Sequence, residues 1–266
     1  MIRDITLGQY YQGESPIHRL DPRIKIIATV LFIVELFIVD SFIGFGICGL
    51  ALAGVVIASK VPLGFIMRGL KPIVLIIVFT FCLNIFMVEG KVIWQWGFLH
   101  ITVEGIYMAV YMAIRLILLL IGSSLLTLTT KPISLTDGIE RLLRPVSKLG
   151  VPTHEIAMMM SIALRFIPTL LEETDKIMKA QQARGADFES GNILNRAKAL
   201  IPILVPLFVS AFRIAQDLAM AMEARCYRGG KGRTRMHEMK LSGKDTLCLI
   251  GLAVFLGVTI LIRIYI

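Results

Sequence analysis

The chain has 266 residues, of which 56% are hydrophobic and 18% are charged, and its mean hydropathy is +0.77. This composition excludes an ordinary soluble domain and indicates a membrane protein. The formal net charge of +9 is compatible with three kinds of partner, namely nucleic acid, anionic lipid headgroups and an acidic protein surface. The position of the basic residues along the chain must decide among them.

Five apolar runs are close to the length of about 17–25 residues that crosses a bilayer core. They cover residues 24–39, 42–58, 70–88, 105–128 and 246–264. Because no cleavage site of small residues follows a short apolar run, we expect the first run to remain as a membrane helix. Basic residues precede it, and the positive-inside rule therefore predicts a cytoplasmic N-terminus. Alternation then places the C-terminus outside and the long segment 131–244 in the cytoplasm.

This cytoplasmic segment holds most of the basic residues, yet it is too apolar to be disordered. Thr136 or Asp137 is predicted to cap a short amphipathic helix that ends near Gly150. A second helix is predicted over residues 153–185 and a third over about 197–225.

Two pieces of these helices, residues 156–171 and 200–212, are apolar enough to be considered as membrane spans. Both are short, and both contain proline, such as Pro168 in the first. If both crossed the membrane, the basic loop between them would lie outside, against the positive-inside rule. We therefore predict that they lie in the cytoplasm or at the membrane interface. We also expect them to pack on one another and to leave an apolar strip for a partner or for lipid.

The predicted fold class is an all-α polytopic membrane protein with five transmembrane helices and three cytoplasmic or interfacial helices. Residues 1–130 form a region with four spans, residues 131–244 form the cytoplasmic helical domain, and residues 245–266 form the fifth span.

No motif for catalysis or metal binding stands out. The chain contains no GxxxxGK[ST], HExxH or GxSxG sequence. Its four cysteines are far apart and include no CxxC pair, which indicates neither a disulfide framework nor a zinc site. We therefore predict a non-catalytic chain without cofactor or metal, so that nucleotide chemistry belongs to another protein.

Inside the predicted spans, the clearly charged residues are Glu35 in the first and Arg115 in the fourth. Each lies near the middle of its run, so their depths in the membrane match. An intramembrane charge is by default a hypothesis for a functional site. We predict that the two side chains form an intramembrane ion pair, which is either a structural neutralisation or part of a transport path.

Two short sequences repeat one pattern near the ends of successive predicted helices. They are Ala183-Arg184-Gly185 and Ala224-Arg225-Cys226. A single arginine in a basic cytoplasmic loop ordinarily is solvated or faces lipid headgroups. A matched pair at helix ends instead suits two similar acidic grooves on a dimeric partner, because the guanidinium group is a planar fork of donors for carboxylates.

With these two arginine sequences, the N-terminal segment Ser15–Lys25 (SPIHRLDPRIK) and the long helical segment before the last span, the chain resembles the T component of energy-coupling factor transporters. This component is the transmembrane coupling subunit (EcfT) of a class of ATP-binding-cassette importers. The resemblance covers nearly the whole chain. It departs at Cys226, where the family most often has glycine.

The resemblance implies a complex in a prokaryotic cell membrane. In that complex this chain would bridge two cytoplasmic ABC ATPase subunits and a separate substrate-binding membrane subunit, the S component, for uptake of a vitamin or of a transition-metal ion such as cobalt or nickel. The residues implied to bind the ATPases are Ala183, Arg184, Gly185, Ala224, Arg225 and Cys226. The other partner is the lipid bilayer, and nucleic acid is not expected.

The same residues leave two alternatives open. A self-contained secondary transporter or channel would use the basic cytoplasmic segment as a lipid-binding regulatory domain. A membrane enzyme ranks third. Co-purification with nucleotide-hydrolysing subunits favours the first interpretation, transport by the chain alone favours the second, and turnover of a small molecule favours the third.

Overall fold

The computed structural model describes residues 10–96, 99–186, 188, 193–229 and 242–265, and these residues are mostly helical. The helices are α1 (Pro22–Ile38), α2 (Phe42–Ser59), α3 (Leu63–Met87), α4 (Val103–Thr129), α5 (Pro132–Leu143), α6 (Thr153–Ala183), α7 (Ile193–Ala224) and α8 (Gly243–Tyr265). The strands β1 (Val92–Trp96) and β2 (Leu99–Thr102) form an antiparallel hairpin between α3 and α4. The predicted all-α class is confirmed, and the hairpin is an addition that the sequence did not predict.

The chain forms two compact units. The first comprises the described residues between 10 and 142 and between 242 and 265, and therefore contains α1 to α5 and α8. The second contains α6 and α7. Helix α5, which lies within the predicted segment 131–244, belongs to the first unit.

Six helices are long and apolar enough to cross a membrane by length and composition. They are Phe42–Ser59, Leu63–Met87, Val103–Thr129, Thr153–Ala183, Leu200–Ala224 and Gly243–Leu261. The chain is thus a multi-pass membrane protein. The predicted first span corresponds to α1, which has 17 residues and is not among these six helices. Helix α6 and most of α7, which were predicted to lie in the cytoplasm or at the interface, are among them. The division into five spans and three cytoplasmic helices therefore stays a prediction.

Helix α4 lies at the centre of the first unit and packs against α1, α2 and α3. Two glycines make this close approach possible. A Cβ atom at Gly105 would lie 2.9 Å from the carbonyl oxygen of Ile85 on α3, and one at Gly122 would lie 2.8 Å from the ring of Phe32 on α1. Any larger residue at these positions would push the helices apart.

The predicted start of the short amphipathic helix is wrong. Helix α5 begins at Pro132, a residue that suits the first helical position because it lacks an N–H group. Thr136 lies inside the helix, where its hydroxyl donates a hydrogen bond of 3.1 Å to the Pro132 carbonyl. A 3₁₀ helix, Arg144–Leu149, continues the chain to Gly150, whose φ of +87° ends it near the predicted residue.

The two long helices predicted in the cytoplasmic segment are confirmed as α6 and α7. As the predicted bounds require, both helices continue through proline. Helix α6 continues through Pro168, and helix α7 continues through Pro202 and Pro206. Each proline removes one backbone hydrogen bond and favours a bend, but it does not end the helix here.

Candidate functional site

Helices α6 and α7 pack on one another and bury very little. Among their described residues only Thr153, Ala157 and Ile203 are buried. Beyond the end of α7, the Tyr227 hydroxyl lies 3.1 Å from the Met158 sulfur near the start of α6. The end of α7 therefore lies beside the beginning of α6, and the two helix ends that carry Arg184 and Arg225 stand at different ends of the pair.

The first arginine tip, Ala183-Arg184-Gly185, closes α6 with a defined hydrogen-bond pattern. The Gly185 N–H donates to the Gln182 carbonyl at 2.9 Å, and the Ala186 N–H donates to the Gln181 carbonyl at 3.0 Å. Gly185 has a φ of +89°, in the left-handed region that glycine adopts without cost. These are the features of a Schellman motif, which satisfies the last carbonyls of a helix.

The second arginine tip, Ala224-Arg225-Cys226, closes α7 in the same way. The Cys226 N–H donates to the Glu223 carbonyl at 2.8 Å, and the Tyr227 N–H donates to the Met222 carbonyl at 3.0 Å. Cys226 has a φ of +54°, although a side chain is disfavoured there. The departure of the sequence from glycine at this position therefore leaves the backbone shape of the tip unchanged.

Both guanidinium groups are presented outward. Arg184 and Arg225 are exposed, and neither side chain has a hydrogen bond or an ion pair within the part of the chain that the structure describes. Two exposed five-donor groups on fixed helix ends can bind carboxylates or phosphates, but they cannot act as proton acceptors. No three His, Cys, Asp or Glu side chains in the described ranges are placed to hold a metal ion.

Helix α7 also presents an apolar strip along one face. Its members recur at helical spacing and are 48–66% exposed, and they are Leu200, Ile201, Leu204, Val205, Phe208, Val209 and Phe212. The Phe208 and Phe212 rings contact each other, with centroids 4.7 Å apart. The strip expected from the sequence is therefore present on α7. A surface of this kind needs lipid or another protein to cover it.

The structure replaces the predicted ion pair of Glu35 and Arg115 with another arrangement. The Arg115 guanidinium donates to the Tyr111 hydroxyl at 2.9 Å and to the Val39 carbonyl at 3.3 Å. It lies 3.8 Å from the carboxylate of Asp40, which also lies 3.3 Å from the Arg263 guanidinium. The physical reason is that α1 ends just before Asp40, so that its last carbonyls and this carboxylate together attract the cation.

Glu35 lies inside the first unit, and no described residue forms an ion pair with it. It is 1% exposed, and neither carboxylate oxygen has a hydrogen-bond partner among the residues described. Thr259 on α8 lies close enough to interact electrostatically, but its hydroxyl bonds to backbone carbonyls of its own helix. A buried carboxyl group without bonds is costly, and it is most costly when ionised.

Asp21 joins the beginnings of α1 and α8. Its carboxylate accepts a hydrogen bond of 2.9 Å from the Arg23 N–H as the N-cap of α1, and it forms an ion pair with the Arg23 guanidinium. Its own N–H donates to the Asp245 carboxylate at 3.0 Å. Burial acts to raise the pKa of Asp21, but the hydrogen bonds from Arg23 outweigh it and hold this pKa below its usual value.

Lys25 joins α1 to the end of α4. Its buried ammonium group donates to the Thr129 carbonyl at 2.9 Å and to the His18 carbonyl at 3.1 Å. The His18 ring in turn lies 3.1 Å from the Tyr11 carbonyl and 2.7 Å from the Ser15 hydroxyl. Burial lowers the pKa of His18 below its usual value, although the bond to the Tyr11 carbonyl acts the other way.

The sequence reasoning did not assign these bonding roles to Lys25, Asp40 and Asp245. Each is a charged residue at the edge of an apolar run. This position is the feature of the sequence from which such a bonding role could have been inferred. Such residues often neutralise the end of a neighbouring helix, because the carbonyls there carry partial negative charge and the N–H groups carry partial positive charge.

Comparisons with known proteins agree with this architecture. A family model described as cobalt transport protein (CbiQ) matches residues 13–237. The energy-coupling factor transporter transmembrane protein EcfT of Clostridium kluyveri is 58% identical over 267 residues, which cover 100% of this chain and 99% of the relative. The protein of the same name from Bacillus subtilis is 49% identical, over 99% of this chain and 100% of the relative. The chain therefore belongs to the family of energy-coupling factor transporter transmembrane proteins.

Proposed function

We propose that this chain transmits ATP-driven motion from two cytoplasmic ATPase subunits to a separate substrate-binding membrane subunit. The observation that carries the proposal is the matched pair of arginine tips, each closing a long helix with the same backbone motif. In this proposal Arg184 docks into an acidic groove of one ATPase and Arg225 docks into the equivalent groove of the other. The neighbouring residues Ala183, Gly185, Ala224 and Cys226 are small enough to let each tip enter.

The spacing of the tips supports two ATPase subunits rather than one. The end of α7 lies beside Met158, and the Arg184 tip lies at the far end of the same α6. Along a straight helix this separation is on the order of 40 Å. A separation of this size exceeds the diameter of about 30 Å of a small domain, which is compatible with one groove on each of two subunits.

The apolar strip on α7 supports the second part of the proposal. A substrate-binding membrane subunit has an apolar surface of its own, and it would cover the strip without desolvating charged groups. The cargo in this proposal is a vitamin or a transition-metal ion such as cobalt or nickel, and the membrane subunit recognises it. The name of the matching family, cobalt transport protein, supports the metal ion.

The proposed orientation places the N-terminus, α6, α7 and both arginine tips in the cytoplasm and the C-terminus outside. The basic residues near the start of α1 and around the tips support it through the positive-inside rule. A cysteine introduced at Lys179, which is exposed on α6, should react with an impermeant thiol reagent in inside-out vesicles and not in intact cells. Labelling from outside would contradict this orientation.

The deciding experiment is co-purification of the ATPases with variants of this chain. Arg184→Ala and Arg225→Ala should each weaken docking by roughly 1.5–3 kcal/mol, because each removes a charge-assisted contact. The double variant should release the ATPases almost completely, since two linked contacts lose their avidity together. Arg→Lys should rescue only in part, because an ammonium group cannot form the planar fork.

Two nearby basic residues provide matched controls. Lys179 and Arg228 are exposed and lie close to the tips in sequence, but outside the capped positions. Lys179→Ala and Arg228→Ala should therefore leave docking and substrate uptake near wild type. An equal loss in these controls would indicate binding by total charge, as expected for anionic lipid. Uptake by the purified chain alone would instead support a self-contained transporter.

A further inference from the structure

An apolar cavity of about 540 Å³ lies among α1, α2, α4 and α8 of the first unit. Its walls are almost entirely hydrocarbon, and they include Phe32, Leu52, Val55, Leu125, Leu252 and Phe255. The cavity opens to the outside of the bundle beside Gly54 and Val55, which are exposed. Its volume is within the range of about 300–1,000 Å³ that small-molecule sites have.

A second cavity of about 380 Å³ adjoins the first and is polar. The two share Leu20, Lys25 and Thr129 as lining residues, so they meet where α1 begins and α4 ends. The charged groups that line the polar cavity are three cations, Arg19, Lys25 and Lys131, and one carboxylate, Glu14, besides the ring of His18. The Glu14 carboxylate is already paired with Arg19 at 2.8 Å. The balance of charge favours an anion.

Lys25 retains a donor for a ligand at this cavity. Its ammonium group has three donors, and it uses two of them on the His18 and Thr129 carbonyls.

The same cavity lies at the start of α5. Lys131 immediately precedes the first helical residue, Pro132, and Ser134 in the first turn lines the cavity. The first N–H groups of a helix have no partner within it, and the helix dipole adds positive potential there. Such an end binds phosphate groups. Helix α5 has 12 residues, so this N-terminus belongs to a full helix.

We infer that the two cavities together bind one anionic phospholipid. Its phosphate group lies in the polar cavity, where it accepts hydrogen bonds from the start of α5 and pairs with Lys131 and Lys25. One acyl chain fills the apolar cavity and enters past Gly54 from the bilayer. The adjoining apolar volume favours a lipid over a free phosphate ion, which would leave that volume unused. The inference is independent of the proposed ATPase coupling.

The test is native mass spectrometry of the full chain in detergent, after delipidation and titration with phosphatidylglycerol or with phosphatidylcholine of the same acyl chains. Wild type should retain one phosphatidylglycerol with an affinity about tenfold higher than for phosphatidylcholine. Lys131→Gln should lower phosphatidylglycerol affinity by about tenfold and leave phosphatidylcholine affinity nearly unchanged.

The acyl-chain half of the site has its own matched pair of variants. Gly54 and Gly46 are both on α2, and a Cβ atom at either position would meet no other atom within 4 Å. Of these two glycines, only Gly54 lines the cavity. Gly54→Leu should therefore lower binding of both lipids, whereas Gly46→Leu should bind like wild type. Circular dichroism and thermal unfolding verify that each variant is folded.

Three results would overturn the inference. The first is equal affinity of wild type for the two lipids, and the second is unchanged phosphatidylglycerol binding in Lys131→Gln and Gly54→Leu. The third concerns competition. If inorganic phosphate displaced the bound lipid as effectively as lysophosphatidylglycerol does, the polar cavity would be assigned to a free anion. Displacement by the lysolipid alone supports the phospholipid.

Discussion

In the first unit, some charged groups bond to backbone atoms of neighbouring helices, as the buried Lys25 does to the end of α4. In the second unit, Arg184 and Arg225 are exposed at helix ends and have no such bonds within the described residues. Buried bonds of this kind fix the positions of helices relative to one another. Exposed donors on capped helix ends are instead available to another protein. The contrast separates a part of the chain whose charged groups bond within the chain from a part whose arginines are available to the proposed partners.

The largest effect is expected from Lys25→Met, which removes the hydrogen bond between α1 and the end of α4. The change keeps the length of the side chain but removes two hydrogen bonds from a charged donor, and it leaves buried carbonyls unpaired. We expect a loss of roughly 3 kcal/mol or more in the free energy of unfolding. Denaturation in mixed detergent micelles measures it. Lys71→Met, at an exposed position on α3, should cost little, and a similar loss in both variants would contradict the role of Lys25.

The next effect has the opposite sign. Glu35→Leu should raise the free energy of unfolding by about 1–3 kcal/mol, because it removes a buried carboxyl group whose oxygens have no partner in the described structure. Arg115→Met should lower that free energy, because it removes the bonds to Tyr111 and Val39. If Glu35 and Arg115 were paired with each other, both changes would destabilise the chain, and the same denaturation experiment distinguishes these outcomes.

A smaller effect is expected at the end of α7. Cys226→Gly should stabilise the second tip by about 1 kcal/mol, since it relieves a positive φ that costs a side-chain-bearing residue about this much. The reciprocal change Gly185→Cys should destabilise the first tip by a similar amount. Hydrogen exchange of the Tyr227 and Ala186 amides measures the two ends separately. Unchanged exchange in both variants would mean that the cap geometry does not limit opening of either helix end.

The smallest expected effect is a pH dependence confined to the first unit. The pKa of His18 is lowered below its usual 6.5 in the folded chain, so the unfolded chain binds a proton more readily. The corresponding stability is present above about pH 6.5 and is lost as the pH falls through the lowered pKa. His18→Gln should therefore flatten the fall in unfolding temperature on mild acidification. Asp21 acts in the same direction below its usual pKa of 3.8, at more acidic pH.

Helices could be predicted from the sequence because their signal is local. The apolar runs correspond to α1, α2, α3, α4 and α8, and the stop of α6 followed from Gly185. The start of α5 was placed too late because Thr136 has the chemistry of a cap but lies inside the helix, and Pro132 was the stronger signal.

Contacts between distant residues could be predicted only in part. Matching depths suggested that Glu35 meets Arg115, but depth does not specify which face of a helix a side chain occupies. The Arg115 guanidinium lies instead at the end of α1, near Asp40, which follows that helix. The repeated Ala-Arg pattern did predict two comparable helix ends. The positive φ of Cys226 could not be predicted, because cysteine has no preference for that region.

In α6 and α7, the helical segments between a proline and the arginine tip are of similar length. From Pro168 to Arg184 the helix is about 24 Å long, and from Pro206 to Arg225 it is about 28 Å long, at 1.5 Å per residue. Neither segment contains a further proline or a glycine. Sharp bends in helices occur mostly at such residues, so between each tip and its proline the helix is expected to behave as a stiff segment. If the tips dock as proposed, a displacement of either tip would be transmitted over about five helical turns before it reaches a proline.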